Sequence, residues 1–375
     1  MVAWRAPVEV VLIGGGHAHV QVLRRWITDP PPRARVTVVL DRPRAVYSGM
    51  VPGFVAGDHP LHALEIDVSA LARRAAAHVV AAPATAIDPG ARRITLGSGA
   101  ILAYDVASLD VGATVRGLDL PGVRAHALPT RPIREWVDRL DARLAALPRG
   151  AGARVVVVGA GAAGIELGFT LHARLSGNGV WPQVTVLAGG ARILPGSAAG
   201  VARRVQREAM RRGIVVRTGA RVVAVERDAV VLEDDRFAAD VVVWATGAAP
   251  FPWLATAPLA HDPQGFVRVR PTLQTVGHDD LFAVGDCASI DGAPWVRKAG
   301  VYAVREGPIV EANLRAWVAG TPLVAFAPQR HILSLLHLGD RRALATKWGL
   351  VATGRWVWRW KRWLDARFVR RFRRG

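Results

Sequence analysis

The sequence predicts an α/β protein with two parallel-sheet units, and three observations carry that prediction. VEVVLIGGGHAHV (Val8–Val20) runs from a β-branched apolar stretch straight into glycines and then a helical pattern. RVVVVGAGAAGIELGFTL (Arg154–Leu171) repeats the same grammar about 145 positions later. Two further apolar runs end in glycine: DVVVWATGAAP (Asp240–Pro250) and DDLFAVGDCASI (Asp279–Ile290).

In the first unit, Pro7 precedes the run Val8–Ile13, which reads as a buried parallel strand. Gly14, Gly15 and Gly16 make the tight turn, and Val20, Leu23 and Ile27 recur at helical spacing. RVTVVL (Arg35–Leu40) is the next strand. Asp41 ends it 25 residues after Gly16, near the place of a ribose-binding carboxylate. The pattern G-x-G-x-x-G uses its first two glycines to turn the backbone and bring a pyrophosphate to a helix N-terminus. Its third glycine only lets helix and strand pack closely. Here that third place is His19. The expectation is strained packing around an intact phosphate site.

In the second unit the pattern is complete, with Gly159, Gly161 and Gly164 after a four-valine strand. Ile165, Leu167, Phe169 and Leu171 lie on the helix that follows, and QVTVLAGG (Gln183–Gly190) is the next strand. An NADH site would end that strand with an acid for the ribose diol, yet Ala188 and Gly189 stand there. Arg192 comes just after, either to meet a 2′-phosphate or simply to face solvent. One glycine motif is weak evidence. Two, each inside a βαβ pattern, point to two dinucleotide-binding units of the Rossmann type.

Composition narrows the chemistry. The 375 residues leave room for two nucleotide-sized domains and an appendage. Cys287 is the only cysteine, so neither a disulfide framework nor a redox-active cysteine pair exists within the chain. That closes the dithiol route of electron transfer and suits a reducing compartment. His59, His62, His261, His331 and His337 show no metal-ligand spacing, so no metal is expected. No signal peptide is expected, because MVAWRAPVEVV leads directly into the first strand, and no spanning helix is expected either.

The formal net charge is +19, and from Arg341 onward there are 12 Lys/Arg against one acid, Asp365. GRWVWRWKRWLDARFVRRFRRG closes the chain. At helical spacing Trp356, Val357, Trp360, Trp363, Leu364 and Phe368 share one face. Arg355, Arg359, Arg362, Arg370 and Arg373 lie opposite. This is the composition of a helix lying in an anionic membrane interface. The competing expectation is a helix docked on the body or on a second subunit of a homodimer. Basic residues interleaved with aromatics also grip single-stranded nucleic acid. No nucleic-acid-binding signature accompanies the tail, so no nucleic-acid partner is expected.

The two glycine motifs, the Ala-Thr-Gly run ending at Gly247 and the Gly285–Asp286 pair together resemble the two-dinucleotide-binding-domain flavoproteins of the pyridine nucleotide–disulfide reductase superfamily, over roughly residues 8 to 330. More narrowly, four stretches resemble flavoproteins linked to selenide, water dikinase, themselves relatives of type II NADH dehydrogenases. These are GGGHAHV, YSGMVPGFVAG (Tyr47–Gly57), SLDVGATV (Ser108–Val115) and VRKAGVYAVREGPIVEANL (Val296–Leu314). In that branch His17 and His19 belong to the motif. YSGMVPGFVAG, punctuated by glycine and proline, reads as a loop over the flavin edge.

The resemblance implies FAD in the first unit and NAD(P)H as substrate in the second. It also implies an NAD(P) domain inserted into a discontinuous FAD domain. The expected limits are 1–125 and 262–330 for the FAD domain, 126–261 for the NAD(P) domain, and 331–375 for a C-terminal region with the tail helix. Expected flavin-binding positions are Gly14, Gly15, Gly16, His17, Ala18 and His19, with Asp41, Arg42, Gly112, Gly285 and Asp286. Asp286 is expected at the ribityl–phosphate region. Expected NAD(P)-binding positions are Gly159, Gly161, Ala162, Gly164, Arg192 and Gly247. By likeness to type II NADH dehydrogenases, Glu166 orients the nicotinamide or relays a proton; the plainer expectation is a helix first-turn acid. Lys298 is expected to stabilise negative charge on reduced flavin. The implied activity is electron transfer from NAD(P)H through FAD to a quinone or another small acceptor, by a cytoplasmic enzyme peripheral on the inner face of the cell membrane. The alternative is a flavoprotein sensor or partner subunit that reduces a non-quinone acceptor, with a link to selenium left open and weak NAD(P)H use.

Overall fold

The computed structural model describes residues 6–373. The expectation about the N-terminus and the last two residues of the tail fall partly or wholly outside them. The first sheet holds β1 (Val8–Ile13), β2 (Ala34–Val39), β3 (His78–Val80) and β4 (Val106–Leu109). The second holds β5 (Leu128–Pro129), β6 (Gly152–Val158), β7 (Trp181–Leu187), β8 (Val215–Arg217) and β9 (Val241–Trp244), in the order β5-β9-β6-β7-β8, all parallel. The chain then returns to the first sheet with β10 (Leu281–Ala283), giving the all-parallel order β10-β4-β1-β2-β3. The first unit is therefore discontinuous and the second is inserted in it. Both central strands, β1 and β6, bury their apolar runs, as strands covered on two faces must.

The two units superimpose in logic, and the differences are chemical. Gly14 (φ +93°) and Gly159 (φ +113°) both sit where a Cβ would meet backbone, 2.4 Å from the Asp110 carbonyl and 2.3 Å from that of Ala245. In the second unit, helix α2 (Ala162–Gly177) crosses so close that a Cβ on Gly164 would lie 1.8 Å from Gly159 O. In the first, helix α1 (His19–Trp26) starts two motif positions later. The buried His19 ring fills the gap: Nδ1 donates to Gly14 O at 2.8 Å and Nε2 accepts from Ser108 Oγ at 2.8 Å. The expected strain is absent, because the imidazole replaces close packing with a hydrogen-bonded tie between the turn and β4. Burial holds this imidazole neutral, its pKa pushed down to about 4.

The expected loop at Tyr47–Gly57 is instead a short 3-10 turn (Ser48–Met50) and one helical turn (Val51–Val55). Pro52 is accommodated because it lies in the first helical turn, where no intrahelical N–H is needed. Met50, Phe54 and Val55 are buried, which pins the segment down. Helix α3 (Gly300–Ala319) follows the first sheet and packs on α1.

Beyond it the chain forms an antiparallel sheet that sequence patterning did not announce: β11 (Ser334–His337), β12 (Ala343–Lys347) and β13 (Leu350–Gly354). Helix α4 (Arg355–Arg373) then docks across this sheet and the Ser48–Met50 turn. Here the expected single apolar face is corrected. Val357, Trp358, Lys361, Phe368, Val369 and Phe372 are buried against the body, while Trp356, Trp360 and Trp363 stay outside at 58%, 37% and 50% exposure. The helix has two apolar stripes, and only one of them is used by the fold. Among the described residues no helix is long and apolar enough to cross a membrane.

Candidate functional site

A cavity of about 550 Å³ opens at the C-terminal edge of the first sheet, where β1, β2 and β4 end. Ligands of open parallel sheets bind at this edge. Its floor is Gly14–Gly16 and His17. Among the described residues, the amides of Gly15, Gly16 and His17 donate to no protein acceptor. Three free N–H groups facing a cavity ahead of a helix suit a pyrophosphate. The next two amides, Ala18 and His19, are already taken: both donate to Asp110 Oδ2 at 2.9 Å. A Cβ on Gly16 would lie 2.1 Å from Asp110 Oδ1, so that glycine is required by the carboxylate beneath it.

Around this floor stand the other expected positions. Asp41 and Arg42 line the cavity at the end of β2, with Arg42 Nε 3.6 Å from the Asp41 carboxylate and Arg42 Nη2 3.3 Å from Glu135. Gly112 lines it with φ +74°. Asp286 reaches the cavity wall and accepts from Arg131 Nη1 at 2.5 Å. Gly285 (φ +70°) donates its amide to Glu306 Oε2 on α3 at 2.5 Å. Gly300 and Ala303 bring the start of α3 to the same cavity. The donors and the charges present fit a dinucleotide such as FAD.

The electrostatics rest on two buried acids and a histidine close together. Burial pushes Asp110 up to about 6, despite the amides that favour its charge. Burial pushes Glu306 up to about 8, so it donates no full charge near neutral pH. His17, half-buried at the cavity wall, has its pKa lowered chiefly by burial. Its ring lies 5.4 Å from Tyr47, which stacks at 4.6 Å on Phe368 of α4, so an aromatic path joins the cavity to the docked helix.

Lys298 does not line this cavity. Its Nζ donates to Ala288 O and sits 3.9 Å over the Phe266 ring, two residues before α3 begins. Burial lowers its pKa. Cys287 is fully buried with its thiol pushed up to about 12, an inert packing group.

The second cradle lies at the N-terminus of α2. Gly161 and Ala162 are accessible there, and among the described residues the amides of Ala160 to Gly164 donate to no protein acceptor. Gly247 is exposed beside it and accepts from the Arg116 amide at 2.9 Å. Arg192 is exposed, without a carboxylate partner among the described residues. Glu166, one turn into α2, does not line the large cavity either. It keeps partial surface access, yet surrounding protein desolvates it and pushes it up to about 7. Its Oε1 accepts from the His337 amide at 2.7 Å, and Lys361 of α4 offsets part of the desolvation. Lys361 itself donates to Gly49 O at 2.6 Å and Asp365 at 2.8 Å.

Sequence reading missed Asp110, Arg131, Glu306 and the Lys361–Asp365 pair. Asp110 left a signal: it follows the apolar run Val106–Leu109 at the place where the second unit has Ala245. The others come from distant segments and left none.

Two glycine cradles in one interleaved α/β framework define a protein with two dinucleotide-binding units. The chain belongs to the pyridine nucleotide-disulphide oxidoreductase family, whose model matches residues 8–307. It is thus an FAD-binding enzyme that uses NAD(P)H. It is 34% identical over 270 residues to an NADH dehydrogenase-like protein of Mycobacterium tuberculosis, covering 65% of this chain and 66% of that one. It is 26% identical over 266 residues to the demethylphylloquinone reductase NdbB of Synechocystis, covering 68% of this chain and 63% of that one. The matched stretch thus spans about two thirds of the length of these relatives. In fold it is similar to the sulfide:quinone oxidoreductase of Aquifex aeolicus, with a TM-score of 0.81 at 18% identity over 98% of this chain and 91% of the other.

Proposed function

We propose that this chain takes a hydride from NAD(P)H onto FAD and passes the electrons to a membrane quinone, as a non-proton-pumping NADH:quinone reductase. The observation that carries the reading is the pairing of two glycine cradles with free amides in a chain whose one cysteine is inert. The relatives' names, an NADH dehydrogenase-like protein and a demethylphylloquinone reductase, support a nicotinamide donor and a quinone acceptor.

Bound FAD supplies the redox chemistry, and the chain supplies binding, orientation and charge. In this reading the amides of Gly15, Gly16 and His17 hold the FAD pyrophosphate, with Gly14, Ala18 and His19 fixing the turn. Asp41 and Arg42 meet the adenosine ribose. Gly112, Gly285 and Asp286 border the ribityl side. Gly159, Gly161, Ala162, Gly164 and Gly247 cradle NAD(P)H, with Arg192 at its ribose. Glu166, poised near neutrality, orients the nicotinamide or moves a proton, and Lys298 adds positive charge near the flavin from behind the start of α3.

The FAD domain comprises 1–125 and 262–330, the NAD(P) domain 126–261, and 331–375 attaches the enzyme to an anionic membrane on its cytoplasmic face. The exposed Trp356, Trp360 and Trp363 support that attachment. A homodimer is compatible with the same surface.

Stopped-flow mixing of the yellow holoprotein with NADH and with NADPH tests the reading. Bleaching of the flavin by at least one, followed by reoxidation with a quinone analogue, is expected. Glu166→Gln should slow flavin reduction about tenfold or more while weakening nucleotide binding less. The missing acid at Ala188–Gly189 favours a second reading, a flavoprotein sensor or partner subunit. No bleaching by either nucleotide would establish that one instead.

A further inference from the structure

We propose that α4 carries a built site for one anionic phospholipid, a step that rests on the membrane attachment proposed above. Arg341, Arg355, Arg359 and Arg362 surround a cavity of about 420 Å³ with Trp358 and a single carboxylate, Asp58. Among the described residues none of these four arginines has a carboxylate within ion-pair reach. Asp58 does not serve them: its Oδ2 accepts from His337 Nε2 at 2.9 Å and Trp358 Nε1 at 2.8 Å. Four guanidiniums lining one cavity repel unless an anion joins them; Arg362 lies 4.6 Å over the Trp358 ring, and the guanidinium fork matches phosphate.

The turn that presents Arg341 is tight: Asp340 and Arg341 both take positive φ, +46° and +55°, while Arg212 holds the Asp340 carboxylate at 2.6 Å. Arg341 is thereby brought beside the start of α4, since β12 and β13 pair Ala343 with Gly354.

What distinguishes a lipid from a free anion is the neighbouring space. Arg359 and Arg362 also border a second cavity of about 440 Å³, whose walls combine Met50, Ala63, Trp363, Ala366 and Val369 with His59, Arg370 and Arg373. A phosphate among the arginines would place a glycerol over Arg359 and Arg362 and an acyl chain against those apolar side chains. The exposed tryptophans of the same helix then meet the surrounding interface.

The test uses the full-length FAD-loaded protein and dihexanoyl-phosphatidylglycerol below its micelle concentration, with binding measured by calorimetry. Saturable one-to-one binding is expected. It should fall about thirtyfold in the double variant Arg341→Gln/Arg355→Gln, at the usual contribution of a basic residue beside lipid phosphate. It should stay within about twofold in Arg367→Gln/Arg371→Gln, which removes equal charge from the same helix outside the cavity. All four positions are exposed, so the variants should fold, and flavin absorbance reports that they have. Equal losses in both variants would mean diffuse charge and overturn the site. Inorganic phosphate or glycerol phosphate binding as tightly as the lipid would overturn it in favour of a soluble anion. If the protein sediments with phosphatidylglycerol vesicles yet shows no saturable lipid binding, the site falls and membrane attachment stands. If it binds the short lipid but no vesicle, attachment falls and the site stands.

Discussion

Asp110 shows how one side chain fixes the character of the proposed flavin site. Its carboxylate caps α1 from below, takes the amides of Ala18 and His19, and leaves those of Gly15 to His17 for a ligand. The cost is that position 16 must be glycine. Gly16→Ala puts a Cβ 2.1 Å from the carboxylate oxygen, and the displaced acid must either lose its amides or enter the phosphate space. We expect a folded but colourless protein, read directly by absorbance near the flavin band. Glu306 offers a test by pH. Its folded-state carboxyl, raised from 4.5 to about 8, binds its proton more tightly than the unfolded chain does. That stability is present below pH 4.5 and is lost as pH rises through about 8, at up to about 1.4 kcal/mol per unit. Glu306→Gln keeps an acceptor for the Gly285 amide and removes the titration. The variant's Tm should therefore decline less than the parent's between pH 5 and 8. His19 titrates in the opposite sense below pH 6.5 and is common to both proteins. Parallel melting curves across that window would refute the assignment.

Helix α4 is the element whose role changed most between sequence and structure. Its residues at Val357, Trp358, Phe368, Val369 and Phe372 are core, each stabilising the fold by about 1.5–3 kcal/mol. Deleting residues 355–375 should therefore lower the Tm by roughly 10 °C or more, or cause aggregation, rather than yield a soluble active body. The informative change is at the outer stripe. Trp356→Ser, Trp360→Ser and Trp363→Ser together touch exposed residues and should leave Tm within about 2 °C. Co-sedimentation with anionic vesicles should fall sharply. Undiminished sedimentation of this variant would remove the stripe as the anchor. The buried Lys361 adds a reason for the helix to be docked: it ties Gly49, against the Tyr47 ring near the first cradle, to α4.

For the whole molecule, each glycine cradle belongs to its own sheet, while one hydrophobic core runs through both units. The β10 return pairs only within the first sheet, so a clash confined to the N-terminus of α2 should spare the flavin, although the body of α2 packs on the Val51–Val55 turn. Gly164→Ala sets a Cβ 1.8 Å from Gly159 O and must push α2 off β6. The variant should remain yellow with near-parental FAD content, while the rate of flavin reduction at fixed NADH falls by about tenfold or more. Loss of FAD from this variant would show that the two units share one stability.

The sequence alone determined what depends on local grammar. A strand that runs into glycines, followed by a helix period, needs no distant partner to be recognised, so both cradles and the glycine positions within them were legible. The lone cysteine likewise decided against dithiol chemistry without a structure. Only the tertiary structure decided what depends on residues far apart in the chain. It brought Asp110 under Gly16, Glu306 to Gly285 and Arg131 to Asp286, across separations of 94, 21 and 155 positions. It also divided α4 into a buried stripe and an exposed one. A helical wheel gives every apolar residue one vote, but the sheet β11–β13 and the Ser48–Met50 turn cover only the side they can reach.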